Sequence, residues 1–200
     1  MKQLSDYIFH FEDVLNKEEH SRLLHLAKTH KHDPLTCPER QEDLEDEYAY
    51  YDLQGTRSHT PLEPEDGEIY DLTHKAMMRT LPKIYQKYKD LLPYSAPPGD
   101  IDYDKYSGYW LCKYPTGGFL SFHADVDADA ASVTCIFLLN DDFEGGEVYF
   151  WGEHKVDPPA NSIHVYPSNH LFPHEVKPVT KGERYSIVVW FGYHKGYDWS

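Results

Sequence analysis

The sequence contains few cysteines and no long apolar segment. Its three cysteines, Cys37, Cys112 and Cys135, are odd in number, and none belongs to a Cys-x-x-Cys motif. We therefore expect no disulfide framework and predict buried thiols in a protein of a reducing compartment. No apolar run approaches the length of a transmembrane helix, and the first residues, "MKQLSDYIFHFEDVL", lack the apolar stretch of a secretory signal. These absences predict a cytoplasmic protein without a membrane partner.

Basic residues are also scarce. The 200-residue chain has 19 Lys and Arg against 34 Asp and Glu, a formal net charge of -15. Binding to nucleic acid requires clustered Lys and Arg, so we do not expect a nucleic-acid partner. The negative charge would suit a basic peptide or protein, although a solvated acidic surface is the simpler explanation. Hydrophobic residues make up 40% of the chain, including 17 tyrosines, which is enough for the core of one domain.

Helical patterns dominate the first half of the chain. Asn16 and Glu19 form a capping box ahead of an apolar stripe, which predicts a helix over 17–29. Alternation before it favours a short strand. Apolar residues at helical spacing predict a second helical segment over 64–92, and Pro82 should kink or divide it.

The segment between these helices, 33–67, contains four prolines and the acidic run "ERQEDLEDE", followed by "YAYYDL". A loop of this length is uncommon in a compact domain unless it is functional or disordered. We expect either a solvated loop or a lid over the substrate, with a strand near 48–53. The tyrosines of that strand would either grip a ring of the substrate or belong to the core.

From Tyr106 to Tyr193 short β-rich runs alternate with turn residues, as in "YWLCKY", "PTGG", "SVTCIFLL" and "NDDFEGG". This pattern is typical of a β-sandwich or jelly roll. We therefore predict a single domain of the α+β class, mostly β. Residues 1–100 would form a helical and loop support region, and residues 101–200 would form the β core.

A candidate metal site lies in "FLSFHADVDADA". On a strand, His123 and Asp125 would point to the same face. The spacing alone proves little, because 13 histidines and 34 acidic residues predict about two His-x-acid pairs by chance. The chain has two, the other being His10-x-Glu12. With a third ligand from a distant strand, the set would be two His and one carboxylate, which holds Fe(II) and leaves positions open.

The third ligand must come from further along the chain, and His174 is the preferred candidate among His154, His164, His170, His174 and His194. It lies in a turn-rich loop that leads into a strong strand pattern. Arg184 begins that strand and shares one face with Ser186, Val188 and Trp190. A buried arginine requires an anion, and its planar fork suits a carboxylate. 2-Oxoglutarate has a 2-oxo acid for the iron and a second carboxylate for the arginine.

Several motifs in order, "KYPTGGFLSFHAD", "SVTCIFLLN", "FEGGEVYF" and "PHEVKPVTKGERYSIVVWF", resemble the prolyl 4-hydroxylase-like branch of the Fe(II)/2-oxoglutarate-dependent dioxygenases. The resemblance implies a double-stranded β-helix, or jelly roll, with N-terminal supporting helices. It implies metal ligands at His123, Asp125 and His174, and Arg184 as the anchor of the distal carboxylate. Tyr114 and Trp190 match residues that line the co-substrate pocket.

The implied reaction is hydroxylation of an unactivated C–H bond with O₂ and 2-oxoglutarate, releasing succinate and CO₂, with ascorbate as a candidate reductant. Peptidyl proline is the first choice of substrate. The alternatives are a free amino acid or other small molecule, a non-catalytic metal-binding jelly-roll module, and a cupin-like zinc enzyme.

The sequence departs from the family pattern at two positions. Leu138 stands where the oxygen-sensing prolyl hydroxylases have a tyrosine that contacts 2-oxoglutarate, and Asn161 stands where glycine is usual, although Asn tolerates a left-handed turn. The residues after Asp125 imitate a calcium loop, but Ala130 and Ile136 occupy the positions of its Gly and Glu, so the EF-hand reading fails. We expect Asp127 and Asp129 in an exposed loop, or else at the substrate rim.

Overall fold

The computed structural model describes residues 3–33, 56–91, 101–106, 108–125 and 131–193. Several predicted features lie outside these ranges: Cys37, the acidic run, the strand near 48–53, Asp127, Asp129 and His194.

Helix α1, Lys17–Thr29, has the predicted bounds and the predicted cap. The Asn16 side chain accepts a hydrogen bond from the Glu19 backbone N–H, and the Glu19 carboxylate accepts one from the Asn16 N–H. These contacts satisfy two of the N–H groups that a helix leaves unpaired at its start. Leu23 and Ala27 are fully buried on the inner face of the helix.

Helix α2, Glu68–Leu91, follows a 3₁₀ turn at Pro64–Asp66. Pro82 lies inside α2 without dividing it, so the helix is one element where the sequence allowed two. An internal proline costs a helix about 3 kcal/mol. The buried side chains on both sides, Met77, Leu81, Ile84 and Tyr88, offset this, because burying each large apolar side chain contributes about 1.5–3 kcal/mol.

Thirteen strands form the rest of the described structure: β1 (Phe9–Phe11), β2 (Ser58–Leu62), β3 (Ile101–Tyr106), β4 (Tyr109–Tyr114), β5 (Leu120–His123), β6 (Ala131–Leu138), β7 (Glu144–Gly145), β8 (Val148–Phe150), β9 (His154–Val156), β10 (Ser162–Pro167), β11 (His174–Val176), β12 (Val179–Lys181) and β13 (Arg184–Tyr193). The major sheet has the order β1-β10-β6-β13-β4-β2, with β3 also paired to β13. The minor sheet has the order β5-β11-β8-β9, and β7 pairs with β12. Every pairing is antiparallel.

The major sheet buries both faces, and strand β4 shows how. Tyr109 and Leu111 belong to the core that the sheet shares with α1 and α2. Cys112 and Tyr114 belong to a second core, which includes Leu120 and other residues of the minor sheet. Alternate residues of a strand point to opposite faces, so one strand serves both cores. The two facing sheets form the predicted jelly roll, and no described residue between 108 and 193 is helical.

Two elements that precede residue 101 belong to the major sheet. β1 pairs with β10, and β2 pairs with β4 at the opposite edge. β2 falls within the predicted 33–67 segment, and its pattern "SHTPL" is too polar to have indicated a strand.

Three local predictions can be compared with the structure. Asn161 adopts a left-handed conformation with φ of 62°, and its side chain bonds the backbone N–H and carbonyl of Leu15. Cys112 and Cys135 are buried free thiols, as predicted. None of the described helices is long and apolar enough to cross a membrane.

Candidate active site

The structure brings together the three side chains predicted as metal ligands. His123 ends β5, Asp125 follows two residues later, and His174 begins β11 directly opposite His123. The Nε2 atoms of His123 and His174 lie 3.5 Å and 3.8 Å from the Asp125 carboxylate oxygens. One ligand atom from each residue lies within 4.8 Å of the others. In the described parts of the chain, this is the one cluster of three such residues with ligand geometry.

Backbone carbonyls orient both imidazole rings. The Nδ1 atom of His123 lies 2.8 Å from the Ser121 carbonyl oxygen, and that of His174 lies 3.1 Å from the Phe172 carbonyl oxygen. A carbonyl only accepts, so in each ring Nδ1 is the atom that donates to the carbonyl and Nε2 is the atom that faces Asp125. Burial lowers the pKa of His174 to about 4, so its ring is neutral at neutral pH.

Asp125 is held as an ionised ligand. The hydroxyls of Thr134 and Tyr166 each donate a hydrogen bond of 2.8 Å to its Oδ2 atom. Burial alone would raise the pKa of Asp125, but its interactions with His123 and His174 bring it below its ordinary value. Two imidazoles and a carboxylate are the ligand set of non-haem Fe(II) sites. The residues present therefore fit Fe(II).

The three ligands line a cavity of about 330 Å³ between the two sheets. The volume lies within the range of small-molecule sites. Strand registry explains its walls, because Arg184, Ser186 and Val188 lie opposite Tyr114, Cys112 and Trp110. The lining residues are Arg57, His59, Cys112, Tyr114, Leu120, His123, Asp125, Ile136, Tyr166, His174, Val176, Arg184, Ser186, Val188 and Trp190.

Arg184 is a buried cation in this cavity, with 4% of its surface exposed. Its Nη1 donates a hydrogen bond of 2.8 Å to the Ser186 hydroxyl, and its guanidinium carbon lies 5.2 Å from the centre of the Tyr114 ring. Within the described residues, no carboxylate lies at ion-pair distance from Arg184. Burial lowers the pKa of Arg184, which reflects the energetic penalty of a charge without an anion. An anionic ligand would remove that penalty.

The other residues predicted for the site divide into those that line the cavity and those that lie outside the metal cluster. Tyr114 and Trp190 line the same cavity as Arg184, and the face predicted for Ser186, Val188 and Trp190 is the face that lines it. His154 and His170 lie outside the metal cluster. His164 is buried, but it is not one of the clustered residues.

Sequence reasoning missed several residues of the cavity. Arg57 and His59 come from the edge strand β2 and the residue before it. Arg57 donates to the Cys112 sulfur at 3.2 Å, and His59 stacks on Trp110 with ring centres 4.4 Å apart. Tyr166 comes from β10, where alternation in "SIHVYP" could have indicated that it faces the cavity. No sequence signal indicated β2.

Comparison with known proteins agrees with this geometry. Residues 109–192 match the model of the 2OG-Fe(II) oxygenase superfamily, the family that uses Fe(II) and 2-oxoglutarate. The matched region contains all three clustered ligands and Arg184.

PKHD-type hydroxylases are among the relatives of this chain. That of Stenotrophomonas maltophilia (strain R551-3) is 35% identical over 91 residues, covering 39% of this chain and 40% of the relative. That of Xylella fastidiosa (strain M23) is 31% identical over 122 residues, covering 56% of this chain and 45% of the relative. The chain therefore spans less than half the length of each of these curated relatives.

Solved structures share the fold of this chain. A Pseudomonas putida prolyl-4-hydroxylase has a TM-score of 0.67 at 20% identity, over 94% of this chain and 92% of that one. A Trichoplax adhaerens prolyl hydroxylase, in complex with a hypoxia inducible factor oxygen degradation domain peptide fragment, has a TM-score of 0.64 at 16% identity, over 94% and 84% of the two chains. These likenesses confirm the double-stranded β-helix.

Proposed function

We propose that this protein is an Fe(II)- and 2-oxoglutarate-dependent dioxygenase that hydroxylates an unactivated C–H bond and releases succinate and CO₂. The observation that carries the proposal is one cavity containing a two-His, one-carboxylate cluster and a buried arginine that pairs with no carboxylate in the described parts of the chain. Such a cavity offers the two attachment points that a 2-oxo dicarboxylic acid requires.

Each residue has a physical role in this proposal. His123, Asp125 and His174 would hold Fe(II), which when bound supplies the activation of O₂ and the oxidation of the co-substrate. Arg184 pairs with the distal carboxylate and orients the 2-oxo acid towards the ligands. Apolar side chains exclude water from the region between the metal cluster and Arg184. They are Leu120, Ile136, Val176 and Val188.

Thr134 and Tyr166 act as positioning residues. Their hydroxyls donate to Oδ2 of Asp125 and thereby hold the orientation of the carboxylate. Outer hydrogen bonds of this kind typically change metal affinity or activity by about 10- to 100-fold when removed.

Peptidyl proline is the substrate that we propose first. The likeness to prolyl hydroxylases, one of them in complex with a peptide, supports this choice. The half-buried rings of His59 and Trp190 line the cavity that contains the metal cluster, and Trp110 stacks on His59. Flat aromatic surfaces of this kind suit the compact apolar ring of proline.

A free amino acid or other small carboxylate is the second candidate. Arg57 lines the same cavity as Arg184, so the cavity contains two guanidinium groups. If Arg184 pairs with 2-oxoglutarate, Arg57 could pair with the carboxylate of a small substrate. A peptide would instead offer backbone carbonyls to the same donors.

The test is an activity assay with both substrate classes. Purified protein with Fe(II), 2-oxoglutarate and ascorbate is incubated with proline-containing peptides or with free amino acids, and succinate and a product heavier by one oxygen are measured. Asp125→Ala is the inactive control. Anaerobic titration with 2-oxoglutarate provides an independent measurement, and the proposal fails if binding does not depend on Fe(II).

A further inference from the structure

His164 carries an unexplained polar atom in the interior of the jelly roll. It lies on β10 opposite Ile136 of β6, and it shares a strand face with Tyr166. Only 1% of its surface is exposed, and its Nε2 atom has no hydrogen-bond partner among the residues that the structure describes. A buried polar atom without a partner costs about 1–3 kcal/mol, so a structure that retains one calls for an explanation.

The space next to His164 also borders Arg184. Leu138, Phe143 and Val148 complete much of its apolar wall. Arg184 and Ile136 line this space and the metal-containing cavity as well, so the two adjoin. Glu147 and Asp157 border it too, and the Lys155 ammonium, which lies 3.4 Å and 3.1 Å from their carboxylates, compensates one of the two negative charges.

The backbone around Arg184 leaves little room for another arrangement. A Cβ atom added at Gly146 would lie 3.1 Å from Cδ of Arg184, so the main chain there packs closely on the arginine side chain. Leu138, which lies between Ser162 and Ser186 in the sheet, offers no hydrogen-bond donor. The guanidinium of Arg184 and the imidazole of His164 are therefore the strong donors that border this space.

The chemistry of the two donors is complementary. A carboxylate has two oxygens and about four positions that accept hydrogen bonds. A guanidinium that donates two parallel N–H bonds leaves some of these positions open to another donor. Burial, together with the neighbouring Arg184 guanidinium, lowers the pKa of His164 to about 3, so the ring is neutral at neutral pH. A neutral imidazole has one N–H, which it can present at Nε2 without adding a second positive charge.

We propose that His164 is a second anchor for the distal carboxylate of 2-oxoglutarate, donating a hydrogen bond from Nε2 to the carboxylate that pairs with Arg184. This inference rests on the proposed function. It makes His164 a binding residue for the co-substrate and gives its buried nitrogen a partner.

The experiment compares two ligands on protein loaded with Fe(II) without oxygen. One is 2-oxoglutarate, and the other is 2-oxopentanoate, which has the same five-carbon chain with a methyl group in place of the distal carboxylate. Dissociation constants are measured by calorimetry for wild type, His164→Leu and His164→Gln. His10→Leu is the matched control, because His10 lies opposite His164 on β1 but is exposed. Circular dichroism verifies that each variant is folded.

We expect His164→Leu to weaken 2-oxoglutarate binding about 10- to 100-fold, as for a lost hydrogen bond to a charged group. Binding of 2-oxopentanoate should change by less than about twofold, because it lacks the carboxylate. His164→Gln, which places an amide N–H near the position of Nε2, should recover most of the affinity, and His10→Leu should behave as wild type.

Two results would overturn the inference: unchanged 2-oxoglutarate affinity in His164→Leu, or equal weakening of both ligands, which would indicate a structural role. If wild type does not bind 2-oxoglutarate in the presence of Fe(II), the proposed function fails and the inference fails with it. The wild-type titration therefore distinguishes the two failures.

Discussion

Replacing Arg184 by Met should separate stability from ligand binding. The guanidinium is buried without a carboxylate partner among the described residues, and only the Ser186 hydroxyl and the Tyr114 ring contact it favourably. Methionine has a similar length, fills the space with apolar atoms and removes the buried charge. The variant should therefore keep about the stability of wild type while losing its affinity for 2-oxoglutarate.

The expected change in the stability of Arg184→Met results from two opposing contributions. Replacing buried charged groups by apolar ones of similar volume is often neutral or stabilising by about 1–4 kcal/mol. The lost hydrogen bond and cation–π contact are worth about 1 kcal/mol each. We expect the stability of the ligand-free Arg184→Met variant to lie within about 2 kcal/mol of that of wild type.

Binding of 2-oxoglutarate should stabilise wild type more than the Arg184→Met variant. At a concentration 100 times its Kd, 2-oxoglutarate stabilises wild type by about 2.7 kcal/mol. For a chain of this size that corresponds to a rise in Tm of about 5–10 °C. A 100-fold loss of affinity, reasonable for a lost two-point ion pair, would reduce the stabilisation at the same concentration to about 0.4 kcal/mol.

The assay is urea denaturation of metal-free protein, followed by thermal melts with Fe(II) under anaerobic conditions with and without 2-oxoglutarate. Arg79→Met is the surface control, since Arg79 is half exposed, and it should change stability by less than about 0.5 kcal/mol. Arg184→Lys keeps the charge and should retain part of the ligand response. The reasoning is refuted if ligand-free Arg184→Met is destabilised by more than about 2 kcal/mol, or if 2-oxoglutarate stabilises it as much as wild type.

Three further predictions concern the ligands, the turn and the buried histidine. Asp125→Ala should abolish Fe(II) binding measured by anaerobic calorimetry, because an ionised ligand is lost; retained affinity would contradict the assigned cluster. Asn161→Ala should lower the free energy of unfolding by about 2–3 kcal/mol in urea, since it loses two hydrogen bonds to Leu15 and strains a φ of 62°. Asn161→Gly should lower it less, and equal losses would argue against backbone strain. Burial lowers the pKa of His164 from its ordinary 6.5 to about 3 in the folded protein. Between these two pH values the unfolded chain binds a proton that the folded chain does not, so the free energy of unfolding decreases as the pH falls. Between pH 7 and pH 5, the free energy of unfolding measured in urea should therefore decrease by about 2 kcal/mol less for His164→Gln than for wild type. The same pH dependence in both proteins would show that His164 is not buried as a neutral ring.

Local sequence determined those parts of the protein that depend on neighbouring residues. The capping box of Asn16 and Glu19 placed the start of α1, because its hydrogen bonds span three residues. Alternation on β13 predicted that Ser186, Val188 and Trp190 share a face, because successive residues of a strand point to opposite sides.

Tertiary structure decided which distant residues share the cavity. His123 and His174 meet because β5 and β11 pair across the minor sheet, and their separation in sequence left five candidates for the third histidine. Arg57 and His59 reach the cavity because β2 adds to the edge of β4, a pairing that their polar local sequence did not indicate. Strand alternation fixes the face of a side chain within its own strand. Only the registry between strands fixes the neighbours that the side chain meets, and registry depends on the whole sheet.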